Sequence, residues 1–346
     1  MAKLIYFTDT HVRGTTPENR LDNFVESLSL KFKDIVQISR DEKIDALLCG
    51  GDLFDRALLS PAVVREFTSI LRQASVPIYI NLGNHDELAH NPETVFRTML
   101  GLVHSLATEF SIITSTEVKL KVEESQRKEG SKVEIRMLDS VILDNVEIFA
   151  TPYSHGVDSN LQAHAIKKSS KALFTFHMIH SMLVEKPFIA SHVLWEAVAN
   201  VTEADVVFCS HFHPEQPLTK VKNTWFVAPG GLARLSAIPE NFNRTPQIAI
   251  VDTSNDKLKI EYRKLPSAHP SEEIFDRASI QEGKDYQISL ESFVESISLN
   301  QFQGENVESI VEAVARTQNL DSEVTQEALR RVAKARERRE FEMIKG

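Results

Sequence analysis

Residues 47–55 read Leu47-Leu48-Cys49-Gly50-Gly51-Asp52-Leu53-Phe54-Asp55. An apolar run ends in two glycines and a carboxylate, the pattern of a buried strand that turns sharply where side chains would clash. This reading makes Asp52 an exposed ligand at the strand end, with Asp55 on the next turn, and a carboxylate so placed can bridge two cations. Four other stretches have the same form. Leu4-Ile5-Tyr6-Phe7 precedes Asp9 and His11, Pro77-Ile78-Tyr79-Ile80 precedes Asn84, His85 and Asp86, Leu173 to Ile179 precedes His180, and Val206-Val207-Phe208 precedes His211 and His213. Five apolar strands that each deliver carboxylate, amide or imidazole groups at one end point to a metal site.

Working outward, the β-α alternation is regular. Between the first two strands, Leu21, Phe24, Val25, Leu28, Phe32, Ile35, Val36 and Ile38 recur at helical spacing, which predicts a crossover helix over 20–40. Ser60 reads as an N-cap with Pro61 at the first helical position, ahead of a face made by Val64, Phe67, Ile70 and Leu71. A third strand over 76–82 and a helix over 92–106 complete three units, which predicts a mostly parallel sheet with its ligand loops at one edge. From Ser111 the rhythm shifts to short strands with period two, including Val118–Val122, Val133–Met137 and Val146–Phe149, with an exposed hairpin tip at Glu123–Lys132. Strands at 172–179, 205–209, 225–227, 247–251 and 258–262 and a helix near 190–199 return the chain to its sheets. Pro266 and Pro270 mark a boundary between domains 1–265 and 266–346. The second is helical, with Leu290, Phe293, Val294 and Ile297, then Val307, Ile310, Val311 and Val314, and a basic end from Arg330 to Arg339.

Composition narrows the function. With 346 residues, 42% hydrophobic and 25% charged, the chain has the makeup of an ordinary globular protein of about two domains. No apolar run approaches the ~20 residues of a membrane span, and Asp9 follows Met1 too closely for a signal peptide, so the expectation is a cytoplasmic protein with no membrane role. A net charge of −10 argues against holding nucleic acid by bulk charge, which leaves local patches, bound cations or a partner to meet any polyanion. The two cysteines, Cys49 and Cys209, sit late in apolar strands and read as reduced core thiols.

Hard divalent metals favour oxygen ligands, while imidazole adds affinity for first-row metals, so a mixed Asp, Asn and His set suits manganese, iron or zinc. In chain order, Asp9-x-His11, Gly51-Asp52-x-x-Asp55, Gly83-Asn84-His85-Asp86, a lone His and His211-x-His213 resemble the signature of the calcineurin-like metallophosphoesterases. Thr8-Asp9-Thr10-His11, the Asn23-Phe24 helix, the Asp52-Leu53-Phe54-Asp55 segment and Ala228-Pro229-Gly230-Gly231-Leu232-Ala233-Arg234 resemble the SbcD-type DNA repair nucleases within that superfamily, over about residues 1–265. The resemblance implies an α/β fold, a two-sheet αββα sandwich with a small helical C-terminal region. It implies that Asp9, His11, Asp52 and His213 hold one divalent ion, Mn2+ by preference, and that Asp52, Asn84, His180 and His211 hold a second. His85 is then the group that faces the phosphate and protonates or stabilises the leaving oxygen, with Asp55 or Asp86 orienting its ring.

Two departures from the family pattern stand out. Ser210 occupies the position of the glycine in Gly-His-x-His, and the lone His is ambiguous because His177 and His180 are both present; His180, at the strand end, is the expected ligand. His155, His164, His192, His269, His90 and His104 read as surface or packing residues. By resemblance, the function expected is a two-metal phosphodiesterase, a DNA exonuclease or endonuclease in end processing, recombination or repair. Its implied partners are DNA and an SbcC-like coiled-coil ABC-type ATPase, with a homodimer as a further candidate and the C-terminal region as a DNA-capping and docking segment. The alternative is a metallophosphoesterase acting on nucleotides, cyclic phosphodiesters or phosphoproteins. A non-catalytic scaffold would be expected to lack ligands, and none is missing.

Overall fold

The apolar stretches that end in ligand-type residues are the central strands of two sheets. Of the first sheet, β1 (Lys3–Phe7), β2 (Ala46–Cys49), β3 (Ile78–Ile80) and β4 (Phe110–Ile112) pair in parallel, joined by α1 (Phe24–Asp41), α2 (Pro61–Arg72), and a 3-10 turn Pro92–Arg97 followed by α3 (Met99–Leu106). The chain continues through β5 (Val141–Leu143), β6 (Val146–Thr151), β7 (Phe174–Ser181), β8 (Leu183–Val184), β9 (Val193–Leu194), α4 (Trp195–Val201), β10 (Val206–His211), β11 (Thr219–Val221) and β12 (Thr224–Val227). It closes with β13 (Gln247–Asp252) and β14 (Lys259–Lys264). This computed structural model describes residues 1–88, 91–114, 137–187 and 191–276. The chain divides into two units, Met1–Arg277 and Ala278–Gly346, and the described residues lie in the first.

Strand order is β14-β13-β1-β2-β3-β4 in one six-stranded sheet and β11-β12-β10-β7-β6-β5 in the other. Both are mixed. The first takes antiparallel β13 and β14 at one side, and the second has a parallel centre, β12-β10-β7-β6, with antiparallel β5 and β11 at its edges. Alternation along each strand explains the stacking. Leu4 and Tyr6 of β1 point between the sheets toward Ile148, Phe176 and Phe208, whereas Ile5 and Phe7 point outward to Phe24, Leu28 and Phe32 of α1. On the far side, Ile179 and Val207 pack with Trp195 and Val198 of α4. The layers are therefore helix, sheet, sheet, helix. Tyr6 and Phe208 meet across the inner layer at 4.6 Å between ring centroids, and cutting Phe208 back to alanine should cost about 3–5 kcal/mol.

Local chemistry shifts several predicted boundaries. Helix α1 starts at Phe24 because Asn23 caps it, accepting from the Glu26 amide at 3.3 Å, so Leu21 lies ahead of the helix and is exposed. Ser60 precedes α2 but makes no side-chain cap bond; Pro61 alone marks that start. The continuous helix expected over 92–106 breaks at Thr98, whose hydroxyl caps α3 by accepting from the Gly101 amide at 3.3 Å. Residues 266–276, grouped with the C-terminal region by the prolines, pack on the first unit: Ile274 and Phe275 are buried, and the Leu21 amide donates to the Ile274 carbonyl at 3.0 Å. The predicted strand Val118–Val122, the hairpin tip Glu123–Lys132, most of Val133–Met137, His90 and the C-terminal helices fall outside the described residues.

Candidate metal centre and active site

Loops from both sheets converge at one end of the sandwich. Asp9 and His11 follow β1, Asp52 follows β2, and Asn84 and His85 follow β3; His180 is next to last in β7, His211 ends β10, and His213 lies two residues beyond. Asp9, His11 and His213 offer ligand atoms within 4.8 Å of one another, as do Asp52, His180 and His211, and His11, Asp52 and His85. Six of the seven expected ligands thus surround one place, with His11 and Asp52 each common to two of these groups, and Asn84 lies on the same β3 loop as His85.

Unusual backbone makes the convergence possible. Asp9 (φ 49), His11 (φ 43), Asp52 (φ 49) and His211 (φ 78) are all left-handed, a conformation that L-residues rarely hold and that clusters at functional sites. Gly51, at φ 119, turns the chain so closely under His180 that a Cβ would stand 2.4 Å from its Nδ1. A Cβ on Gly83 would meet Asp52 Oδ1 at 2.0 Å, so neither glycine can be exchanged for a larger residue without moving a ligand. The turn expected to expose Asp52 instead folds it under the β3 loop, and Asp52 is 1% exposed.

Hydrogen bonds fix which atoms face inward. Asp9 Oδ2 accepts from Thr8 Oγ1 at 2.7 Å and the His211 amide at 3.3 Å, leaving Oδ1 buried without a hydrogen bond, 3.5 Å from His213 Nε2. Asp52 Oδ1 accepts from the His85 amide at 2.9 Å. Its Oδ2 lies between imidazoles of the two groups, 3.4 Å from His180 Nε2 and 3.8 Å from His11 Nε2. His180 Nδ1 donates to the Gly50 carbonyl at 3.0 Å, which leaves Nε2 as the inward atom, itself without a hydrogen bond. Asn84 Oδ1 is also buried and without a hydrogen bond, and His11 Nε2 and His213 Nε2 stand 3.0 Å apart. Buried oxygen and nitrogen lone pairs that face one another rather than donors are what a cation-binding cage presents, and this donor set suits a first-row divalent ion.

The charges around the cage bear on the same atoms. Burial alone would lower the His180 pKa, but the neighbouring Asp52 carboxylate outweighs it and raises the group to about 9, so in the metal-free protein a proton on Nε2 faces Asp52 where a cation would sit. Burial pushes His11 down to about 3 and His211 to about 4, the latter aided by His180, so both offer neutral lone pairs. Asp9 and Asp52 overcome the cost of burial through the imidazoles around them and stay well below the usual carboxylate range.

His85 is half-buried, its ring edge-on to His11 at 4.7 Å. Its Nδ1 donates to the main-chain carbonyl of Asp55 at 2.6 Å, leaving Nε2 to meet a substrate. This corrects the expectation that a carboxylate of Asp55 or Asp86 orients the ring. Asp86 instead accepts from the amides of Asp52 (2.7 Å), Gly83 (3.1 Å) and Phe54 (3.4 Å), tying the β2 and β3 loops together, and the Asp55 carboxylate sits beside Arg13 and Arg56.

His177 lies away from this centre: its Nε2 shares a 2.8 Å hydrogen bond with Thr151 Oγ1, and burial lowers it to about 3. Ser210 donates to the carbonyls of Gly50 (2.8 Å) and Ile179 (2.7 Å), so the hydroxyl in place of glycine adds a tie beneath His180. His164 is buried against Ser181 and Asn160, and His104 bonds the Phe110 carbonyl. Cys49 and Cys209 are free and buried. Sequence reading missed Tyr153, whose ring packs on His211 at 5.2 Å and His180 at 6.4 Å, and Asp158, whose carboxylate lies 3.9 Å from His211 Nε2. Tyr153 follows β6 at the same sheet edge as the ligands, the one signal that could have found it.

Residues 2–215 match the family described as calcineurin-like phosphoesterase. The chain belongs to this family. Family and donor set together make this phosphoesterase a metal-dependent hydrolase that uses divalent ions. It is also similar to the DNA double-strand break repair protein Mre11 of Thermoplasma acidophilum, 29% identical over 94 residues, and to that of Aeropyrum pernix, 30% identical over 105 residues. These matches cover 26% and 29% of this phosphoesterase and 24% of each relative, so the aligned part is about a quarter of the length of those proteins. Among solved structures, TT1561 of Thermus thermophilus aligns over 75% of this chain and 98% of its own at 12% identity and a TM-score of 0.43. Among the described residues, no helix is long and apolar enough to cross a membrane.

Proposed function

We propose that this phosphoesterase is a DNA exonuclease or endonuclease that works at two Mn2+ ions in DNA end processing. Asp9, His11, Asp52 and His213 would hold one ion, and Asp52, Asn84, His180 and His211 the other. The observation that carries the two-ion reading is Asp52 Oδ2 set between His11 Nε2 and His180 Nε2, at 3.8 and 3.4 Å. Two divalent ions bound there would supply Lewis-acid polarisation of a phosphoryl oxygen and a low-pKa water. The chain's own part is to orient and exchange protons. His85, pinned through Nδ1 to the Asp55 carbonyl, presents Nε2 beside His11, where it can stabilise or protonate a leaving oxygen. The similarity to Mre11 proteins, named for DNA double-strand break repair, favours DNA as substrate over nucleotides, cyclic diesters or phosphoproteins; a coiled-coil ABC-type ATPase as partner follows from the resemblance of the motifs to SbcD-type nucleases. Incubation with Mn2+ and end-labelled duplex DNA beside a generic phosphomonoester tests it. Release of label with little monoester turnover is the expected result, and the reverse preference would overturn the nuclease reading while leaving the hydrolase.

A further inference from the structure

Beneath the metal centre lies a group of buried cations that the chemistry above does not use. Arg244 is 4% exposed, and no carboxylate among the described residues forms an ion pair with it; Glu215 and Asp9 act on it at longer range. Burial lowers its pKa only to about 10, so it is charged at neutral pH. Its donors go to oxygens of the chain instead. Nη1 donates to the Gly231 carbonyl at 2.5 Å, Nη2 to the Ala233 carbonyl at 2.8 Å, and Nε and Nη2 to Asn241 Oδ1 at 3.2 and 3.0 Å.

Those two carbonyls belong to residues whose amides hold the ligand loops. The Gly231 amide donates to the His213 carbonyl at 2.9 Å, the Leu232 amide to the Thr8 carbonyl at 2.9 Å, and the Ala233 amide to the Asp9 carbonyl at 3.2 Å. One guanidinium thus grips a three-residue span that in turn grips the main chain of Asp9 and of His213. Among the described residues, no hydrogen bond from this span reaches His180, Asn84 or Asp52. The connection is therefore one-sided. A buried guanidinium without a counter-ion is costly to desolvate, and here the planar fork of donors is matched to two carbonyls two residues apart, a geometry that lysine cannot reproduce.

We propose that Arg244 is a positioning residue of the metal centre, setting the distance between Asp9 and His213 and so the affinity for the one ion those two residues hold. This inference rests on the two-ion reading. Groups that orient metal ligands typically change metal affinity about 10- to 100-fold when removed, and that is the scale expected here. Arg234 provides the contrast. It lies in the same buried group, but its guanidinium donates to the carbonyls of Arg244 (3.1 Å) and His269 (2.6 Å) and to Ser271 Oγ (2.8 Å), none of which bonds a ligand loop directly.

The experiment is titration of the metal-free full chain with Mn2+ alone, followed by calorimetry and by the electron paramagnetic resonance of free Mn2+. The wild type is expected to take up two ions. Arg244→Lys should weaken one of them about 10- to 100-fold and leave the other unchanged. In a His180→Ala background, which keeps the ion held by Asp9 and His213, Arg244→Lys should weaken the ion that remains. Asn241→Ala, which loosens Arg244 without removing the buried charge, should shift the same affinity in the same direction by a smaller factor, and it carries the test should Arg244→Lys fail to fold. Arg234→Met should lower the melting temperature and leave both affinities as they were. Wild-type affinities in folded Arg244→Lys, or an equal loss at both ions, would overturn the proposal. A wild type that takes up no Mn2+ would overturn the two-ion reading itself, and this inference with it.

Discussion

The first sheet brings Asp9, His11, Asp52 and Asn84 to the centre, and the second brings His180, His211 and His213. All the candidate oxygen donors come from one side and all but one of the candidate imidazole ligands from the other. The loops of the first sheet carry three left-handed residues, Asp9, His11 and Asp52, and depend on Gly51 and Gly83 for room. On the second sheet, His180 keeps regular strand backbone, with Ser210 opposite it in β10. The difference teaches where sharing occurs. An oxygen-rich side can neutralise two cations with one carboxylate, whereas each imidazole of the other side stands with one group only. Substitution of Asp52 should therefore act on the whole centre, and substitution of a second-sheet imidazole on half of it.

The largest expected effect is Asp52→Ala, which removes the group common to both halves: metal analysis should find both ions lost and hydrolysis abolished. Two retained ions with full activity would break the asymmetry at its root. His85→Gln comes next. Both ions should stay bound while turnover falls about 10²- to 10⁴-fold, the range of a lost general acid, and a fall in metal content would make His85 a ligand instead.

The second sheet offers a sharper contrast within one strand. His180→Ala should lose the ion shared with Asn84 and keep the other, whereas His177→Ala should keep both and cost about 0.5–1.5 kcal/mol for the lost hydrogen bond to Thr151, whose hydroxyl retains the Ala163 carbonyl at 3.1 Å. Acidity separates the two as well. His177, held down near 3 against an ordinary value of 6.5, favours the folded state fully above pH 6.5 and loses that contribution as pH falls toward 3. His180, raised to about 9 in the metal-free protein, favours the folded state fully below 6.5 and loses it as pH rises through 9. Denaturant melts of metal-free His177→Ala should therefore be less acid-sensitive than the parent, and those of His180→Ala less alkali-sensitive.

The smallest effect is expected from truncation after Arg277, since the first unit ends there and Phe275 is buried within it. Hydrolysis of a small model diester should be unchanged, while processing of long DNA or binding of a coiled-coil ATPase should fall. Full retention of both would leave residues 278–346 without a role in substrate or partner engagement.

Much of this is legible in the chain because apolar strands and ligand residues leave a one-dimensional pattern: β1, β2, β3, β7 and β10 are each marked by ligand-type residues at or just past their C-terminal ends. Other features leave no such trace. Left-handed backbone at Asp9, His11 and Asp52 is a property of loops packed by their neighbours, not of residue type. The role of Asp86 is not readable from its place in the motif, because a carboxylate can serve an imidazole or three amides, and only the fold decides. The break at Thr98 lies within an apolar rhythm that fits a helix on either side of it. Arg244 acts through main-chain carbonyls, which every residue has, so no spacing could point to it.

The centre draws on residues from Asp9 to His213, about three-quarters of the length of the first unit. Its pieces are contributed one strand at a time along some two hundred residues, and the last imidazole arrives late. During synthesis the growing chain therefore carries no complete cage, and it cannot act as a hydrolase until the second sheet has docked on the first. Long-range pairings of this kind form slowly. Metal uptake should accordingly be a late event in refolding, and a clean spectroscopic clock for the moment when the two sheets close on each other.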